Sequence, residues 1–558
     1  MKFKEMTKED KEFFAKTYRD NNLPWDDRMQ ILMDFIGKGE RTVRNWVKKL
    51  NLKFSEDVES PELKLAKKKR FNKSKKRFII TWAQSDTPIH LEFFNNLKTY
   101  AKHIDADIHV IAGRYKNPTS IFSDKNHDRW SEEVHPYLDA ARHDIHKYVS
   151  IMSDVKIQPT AMNPMTGLQG MSGINSCVFG SPKVQLEMIP VLEDAKPKMM
   201  VTTGSCTVKN YTDSKAGKKG EFHHTLGFVV VEIQDDETFY MRQVTAEDNG
   251  DFTDLYFRTR YKGGTQEIQF DDLLDKSFWV GAHCGAKPVE LTGESKVKRI
   301  DKIEACVLGD IHYGHHDKDV LKKTFKLLDT LVPKHVILHD VFDGDSISHH
   351  AMKDPFIQYG KEVHNTNNLG REVNYMMKKL KKFEKYENVV IVRSNHDDFL
   401  DRWLKDGDWK KQPTYKNSPL YMEYSGILLR QHAESPMDIK GVIPELINRE
   451  FPNYITLGRR DSYRVKDWEL GQHGDIGSSG SRGSLVQFRK LNTKIIVGHY
   501  HSPGRKDGAI AVGTSTKLRV GYNQGASMWA QAHVIVHEDG KAQHIVFIGD
   551  NKGYTTLK

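Results

Sequence analysis

Three features of the sequence predict an α/β fold class. Residues 78–112 read as strand, helix and strand: Phe78-Ile79-Ile80-Thr81-Trp82, an amphipathic stretch from His90 to Lys102, then Asp107-Ile108-His109-Val110-Ile111-Ala112. That order is a βαβ unit. Beyond about Arg299, short apolar runs recur, and each ends in a cluster of polar side chains, as strands of a covered sheet do. The 558 residues, 38% hydrophobic and 29% charged with a mean hydropathy of −0.63, suffice for two or three cores.

Taken in chain order, residues 1–55 are predicted helical. Val43, Trp46, Val47 and Leu50 recur at the spacing of one buried helix face, and Ile31, Leu32, Phe35 and Ile36 form an earlier stripe interrupted by Gly37-Lys38-Gly39. Two short helices about a glycine turn, the second rich in Arg and Lys, suit either a helix-turn-helix or a small helical bundle docked on the rest. Residues 56–77 are expected to be a basic linker: nine of the fourteen positions from Lys64 to Arg77 are Lys or Arg. Such a run is usually solvated, and it can also lie along phosphates. The smaller α/β (or α+β) domain is placed at 78–296, with further strands at Lys198–Thr203 and Leu226–Ile233, and its role is not legible. The glycine-rich Gly167–Gly173 segment fits no nucleotide-binding spacing and is read as a loop. No internal repeat stands out. The last domain is placed at 297–558.

Lys and Arg number 85 against 75 Asp and Glu, a formal charge of +10, and the pI is about 9.0. The excess favours polyanionic partners, DNA among them. Cys177, Cys206, Cys284 and Cys306 are far apart and form no CxxC pair, which argues against a disulfide framework or zinc knuckle and for a reducing compartment. The charged start MKFKEMTKEDKEFF is not a signal peptide, and no run approaches the roughly 18 apolar residues of a bilayer span. A cytoplasmic protein without a membrane partner is expected.

The chemistry concentrates in the last domain. Ile303–Leu308 leads into Gly309-Asp310-Ile311-His312, and Val336-Ile337-Leu338 into His339-Asp340-Val341-Phe342-Asp343. Val389–Val392 leads into Arg393-Ser394-Asn395-His396-Asp397, and Ile495-Ile496-Val497 into Gly498-His499-Tyr500-His501, with Gly471-Gln472-His473-Gly474-Asp475 between them. Alone, an Asp-x-His is usually a surface or capping pair, and a His-x-His is usually strand alternation. Five such clusters at strand ends converge on one crevice, where buried carboxylates and imidazoles need partners that metal ions supply.

The order Asp-x-His, Asp-x-x-Asp, Asn-His-Asp, His and Gly-His-x-His resembles the calcineurin-like metallophosphoesterase superfamily over residues 299–558. The resemblance implies a four-layer α/β/β/α sandwich. It places Asp310, His312, Asp340 and His501 on one metal and Asn395, His473 and His499 on a second, with Asp340 bridging. It gives His396 the catalytic histidine role, with Asp397 orienting its ring. His339 departs from the pattern, since the family carries glycine before the bridging aspartate; it would reshape the turn or reach the substrate. The nitrogen and oxygen ligand set suits Mn²⁺, Fe²⁺ or Zn²⁺, with manganese first through the resemblance.

Within the superfamily the chain is most similar to SbcD-type nucleases. Its whole length resembles the pre-early host-DNA-degradation (DNA transfer) proteins of large lytic siphophages. The expectation is therefore a metal-dependent deoxyribonuclease, using two-metal activation of water, in the infected bacterial cytoplasm, with a homo-oligomer expected because nucleases of this type often assemble. Two alternatives share the sequence features: a phosphomonoesterase acting on phosphoproteins or nucleotides, and a DNA-binding or host-takeover factor with an inactive metal site. His315, His316, Arg402, Arg505 and Lys506 lie near ligand loops as further substrate-contact candidates, while His349 and His350 suit capping or surface positions.

Overall fold

The computed structural model describes residues 2–20, 23, 25–50, 52, 61–72, 74–115, 129–193, 195–267, 289–407, 409–411, 415–521 and 523–557. Cys284 and parts of the expected linker lie outside them. Helices α1 (Lys8–Arg19), α2 (Trp25–Ile36) and α3 (Glu40–Lys49) open the chain. Thr7 and Asp10 form a capping box that starts α1, and Gly37, at φ +62°, separates α2 from α3. Phe14, Leu32, Ile36, Val43 and Trp46 make their shared core. That packing leaves Arg41, Arg44, Asn45, Lys48 and Lys49 exposed on α3.

The basic stretch is not a free linker. Helix α4 (Pro61–Ala66) buries Leu63 and Ala66 in the next core. Lys69 donates to the carbonyl of Pro136, and Phe71 packs on Phe78 and His109. Three apolar side chains spaced through the lysines are enough to dock it.

Strand β1 (Arg77–Gln84), helix α5 (Leu91–His103) and strand β2 (Asp107–Gly113) form the βαβ unit, with β1 and β2 parallel. They join β3 (Leu138–Asp139), β9 (Gly227–Ile233) and β10 (Phe239–Thr245) in a five-stranded sheet ordered β10-β9-β1-β2-β3. Strands β4 (Arg142–His146), β5 (Val149–Met152), β6 (Ser176–Phe179), β7 (Gln185–Ile189) and β8 (Lys198–Thr202) belong to a second sheet. Helix α6 (Lys215–His223) precedes β9. Smaller strands β11 (Phe252–Asp254), β12 (Phe257–Lys262), β13 (Thr265–Glu267), β14 (Val289–Leu291) and β15 (Glu294–Arg299) follow. The last of these runs across the expected 296/297 boundary.

In the second half, β16 (Ile303–Val307), β17 (Pro333–His339), β18 (Asn388–Val392) and β19 (Ile455–Leu457) run parallel. The hairpin β25 (Ala532–Val536) and β26 (Ala542–Val546) completes a sheet ordered β19-β18-β17-β16-β25-β26. Its strands are buried over most of their length because both faces are covered. On one face Val336, Leu338, Val389 and Ile391 meet Val320, Leu327 and Leu328 of α7 (Lys318–Leu331) and other helical side chains. On the other, Val307, Ile337, Val390 and Val534 pack against Trp468, Ile496, Ile510 and Val512.

Those last residues lie on or beside a ten-stranded sheet. Strands β20 (Arg464–Val465), β21 (Trp468–Glu469), β22 (Lys494–Val497), β23 (Gly504–Lys506) and β24 (Ala509–Ala511) meet the first half in the order β20-β21-β22-β24-β23-β7-β8-β6-β5-β4. The two halves thus share one sheet. Among the described residues, Cys177, Cys206 and Cys306 are buried and free. No helix among the described residues is long and apolar enough to cross a membrane.

Candidate metal centre

The parallel strands β16, β17 and β18 end on one edge, where their polar clusters meet. Beyond Val307 the chain turns through Gly309, and Asp310 is held there by its amide donating to the Gly513 carbonyl and its carbonyl accepting from the Ser515 amide. The amides of Ile311 and His312 donate to the carbonyls of His339 and Asp340, fixing the first two loops together. His312, Asp340, His499 and His501 all have positive φ, at 45°, 45°, 74° and 54°. Such left-handed backbone costs non-glycine residues about 1–3 kcal/mol each and gathers at functional sites.

All seven expected ligands come together. The ligand atoms of Asp310, His312, Asp340 and His501 lie within 4.8 Å of one another. His501 Nε2 is 3.2 Å from Asp310 Oδ2 and 3.1 Å from His312 Nε2. Asp340 Oδ2 stands 3.3 Å from His312 Nε2 on one side and 3.2 Å from His473 Nε2 on the other. Beyond His473, Asn395 Oδ1 lies 3.0 Å from His473 Nε2 and 3.1 Å from His499 Nδ1. Asp340 Oδ2 therefore stands between the two groups, and a carboxylate oxygen of Asp310 also lies within 4.8 Å of His473.

The donor set fits divalent cations. Both carboxylate oxygens of Asp310, Oδ1 of Asp340 and Nδ1 of His501 are buried and have no hydrogen-bond partner, a costly state that a bound cation relieves. Burial, together with the charge of Asp340, pushes Asp310 up to about 7. Burial also acts to raise Asp340, but the imidazoles of His473 and His312 outweigh it and hold that carboxyl well below its usual range. Burial pulls down on His473, yet Asp340 and Asp310 lift it to about 9. His499, half-buried and beside His473, falls to about 4 through desolvation and the His473 charge. Without metal the centre already separates charge, with protons on some imidazoles and not others.

Asp343 is a functional residue to which sequence reasoning gave no role. Its Oδ1 accepts from His312 Nδ1 at 2.9 Å, fixing the ring so that Nε2 faces Asp340 and His501. It was visible as the second acid of Asp-x-x-Asp. Trp529, whose ring meets His501 edge-on at 4.1 Å, left no such signal. His396 Nδ1 donates to the Asp343 carbonyl at 2.5 Å, and its ring lies 4.5 Å from that of His312 and 4.6 Å from Phe399. The expected orienting role of Asp397 is corrected: its Oδ2 accepts from the Ser394 amide, closing its own turn, and the Asp343 carbonyl orients His396 instead. Burial, relieved in part by that amide, leaves Asp397 at about 7.

His339 does not reach outward. It is fully buried, with Nδ1 3.4 Å from His473 Nδ1, and burial followed by the His473 charge lowers it to about 3. It packs beneath Gly498, where a Cβ would lie 2.9 Å from the His339 ring and 2.4 Å from Asp310 Oδ1, so only glycine fits. Arg505 points inward, Nη1 donating to the Ala542 carbonyl. Arg402 faces His349 Nε2 at 2.9 Å. His316 is buried, whereas His315 is half-exposed with Nε2 3.5 Å from Asp343 Oδ2.

Fold and site define an α/β protein with a buried His/Asp cluster that could hold metal. No family model matches the chain. It is similar to Protein A1 of Escherichia phage T5, 29% identical over 498 residues, which cover 85% of this chain and 82% of that protein. The match spans both halves and supports the resemblance to a phage protein.

Proposed function

We propose that the chain is a metal-dependent deoxyribonuclease of the calcineurin-like metallophosphoesterase superfamily, with the second half folded as its α/β/β/α sandwich. The observation that carries this is Asp340 Oδ2 standing between His312 and His473, 3.3 and 3.2 Å away, with a complete set of nitrogen and oxygen donors on either side. Asp310, His312, Asp340 and His501 would hold one ion; Asp340, Asn395, His473 and His499 would hold the other. Two such cations, manganese first among the candidates, supply Lewis-acid neutralisation of phosphate and a more acidic water.

The protein's own groups do the rest. Asp343 fixes His312 through Nδ1. The Asp343 carbonyl holds Nδ1–H of His396 and leaves its Nε2 as the nitrogen that delivers a proton to the departing sugar oxygen. Phe399 shields one side of that ring from water. The exposed Arg41, Arg44, Lys48 and Lys49 on α3 support DNA as the substrate, since phosphate contacts come mainly from such side chains. The phage resemblance supports a role in degrading host DNA in the infected bacterial cytoplasm.

Incubating the protein with plasmid and linear DNA, with and without Mn²⁺, tests this reading. Cleavage that requires metal and vanishes in Asp340→Ala is expected. Rapid phosphate release from small monoesters without DNA cutting would replace it with a phosphomonoesterase, and inertness toward both would leave a binding factor.

A further inference from the structure

The two halves carry matching strands in the same order, with β19 alone lacking a counterpart among the described residues. In the second half β16 lies between β17 and the hairpin β25–β26, and the shared sheet receives β20-β21-β22-β24-β23. In the first half β1 lies between β2 and the hairpin β9–β10, and the shared sheet receives β4-β5-β6-β8-β7. Directions agree throughout. Strand β22 is parallel to β21 and β24, with β23 antiparallel to β24; β6 is parallel to β5 and β8, with β7 antiparallel to β8.

Individual bonds repeat as well. The Thr203 amide donates to the Phe179 carbonyl as that of Val512 does to Val497; Cys206 donates to Trp82 as Ser515 does to Asp310; His90 donates to Cys206 as Asp317 does to Ser515. His90 and Asp317 then each cap the following helix. At the seam Leu186 pairs with Arg505. Within its own half Leu186 opposes Val201, and Arg505 opposes Ile510, so equivalent residues meet each other across a local two-fold axis.

These matching bonds put Trp82 at the position of Asp310. A Cβ on Gly498 would meet Asp310 Oδ1 at 2.4 Å, and a Cβ on Gly180 would meet the Trp82 indole at 2.6 Å. The indole also lies against Gly113, where a Cβ would come within 2.1 Å of it. It is 2% exposed and occupies the space that ligands share in the other half. Gly180-Ser181-Pro182-Lys183 takes the place of Gly498-His499-Tyr500-His501 and contains no imidazole. Lys183, in the position of His501, turns instead to Asp507 of the other half, 2.7 Å away.

We infer that residues 77–245 are a second, retired copy of the metal-binding fold, its seat sealed by Trp82 and its former ligand loop turned into a clamp on the working copy. Asp507 opens the β23–β24 turn, a few residues beyond His499 and His501, so the clamp braces the strand that follows the ligand loop. The inference that only one seat is open rests on reading the second half as a metal centre.

Metal analysis of the full chain, loaded with Mn²⁺ and desalted, tests it. About two ions per chain, falling to none in Asp340→Ala and unchanged in Trp82→Phe, are expected. More than two ions in the wild type, or stoichiometric metal remaining in Asp340→Ala, would mean that the first seat is open and would overturn the sealed copy. No metal in any form would defeat the metal-centre reading alone. The clamp is then judged from melting temperatures of Lys183→Met, Asp507→Asn and the double variant. Because Lys183 also donates to the Met162 carbonyl and His223 also faces Asp507, a fall in the double variant smaller than the sum of the two single falls is expected; additive falls show that the two groups act separately and overturn the clamp.

Discussion

At the strand ends of the second half, polar side chains stand with no hydrogen-bond partner; at the matching place in the first half there is a tryptophan. Asp310 keeps its whole carboxylate buried, with Oδ2 3.2 Å from His501 Nε2, and a buried charge costs stability until a cation arrives. Trp82 is equally buried, but its indole packs against Gly113, Gly180 and Ile111 and contributes apolar contact. One copy carries strain and charge for a ligand, and the other converts the same space to core. The difference teaches that this sheet framework folds around a tryptophan as readily as around buried Asp and His side chains, so the framework itself does not depend on them.

The comparison breaks most visibly at Asp340. Replacing it with Ala removes the carboxylate oxygen that stands between His312 and His473, and metal-dependent DNA cleavage is expected to fall to background in a gel assay. The matching experiment in the first half has an opposite signature. Trp82→Ala empties a sealed core and is expected to cost about 3–5 kcal/mol of stability, measured by denaturant unfolding, while metal content stays unchanged.

Asp343→Asn sharpens the centre itself. It weakens the hydrogen bond that fixes His312 and is expected to lower metal affinity or activity about 10–100-fold. Metal affinity also carries a pH signature. His473 is raised from 6.5 to about 9 in the metal-free protein, so its proton stabilises the folded, metal-free state below pH 6.5 and that benefit is lost as pH rises through about 9. A cation needs the neutral ring, so binding releases the proton, and affinity measured by titration is expected to climb about tenfold per pH unit between about 7 and that point, and more steeply below about 7, where Asp310 must also lose its proton. The smallest effect belongs to α3, where Lys48→Ala is expected to lower the salt slope of DNA binding by about one.

What the sequence made legible follows from where the information lies. The ligand blocks were readable because each follows a buried apolar run, and parallel strands buried on both faces leave that run unbroken, as in Val389–Val392. The βαβ unit at 78–112 was readable for the same reason. The repeat was not, because topology can be kept while the side chains that mark it change: Trp82 for Asp310, Ser181 for His499, Lys183 for His501. Strands of two residues such as Leu138–Asp139 and Trp468–Glu469 show no periodicity to detect. The basic segment misled because charge density hid Leu63, Ala66 and Phe71, which dock it. Asp397 misled because adjacency in sequence put it beside His396, whereas the helix that begins there turns its carboxylate back to Ser394.

The central claim, that metal sits in one copy of the fold and not the other, is tested most directly by anomalous diffraction from manganese-soaked crystals. Two peaks about 3.5–4 Å apart, flanking the Asp340 carboxylate, with none beside Trp82, are the predicted result. A peak beside Trp82, or no peak at Asp340, would contradict it.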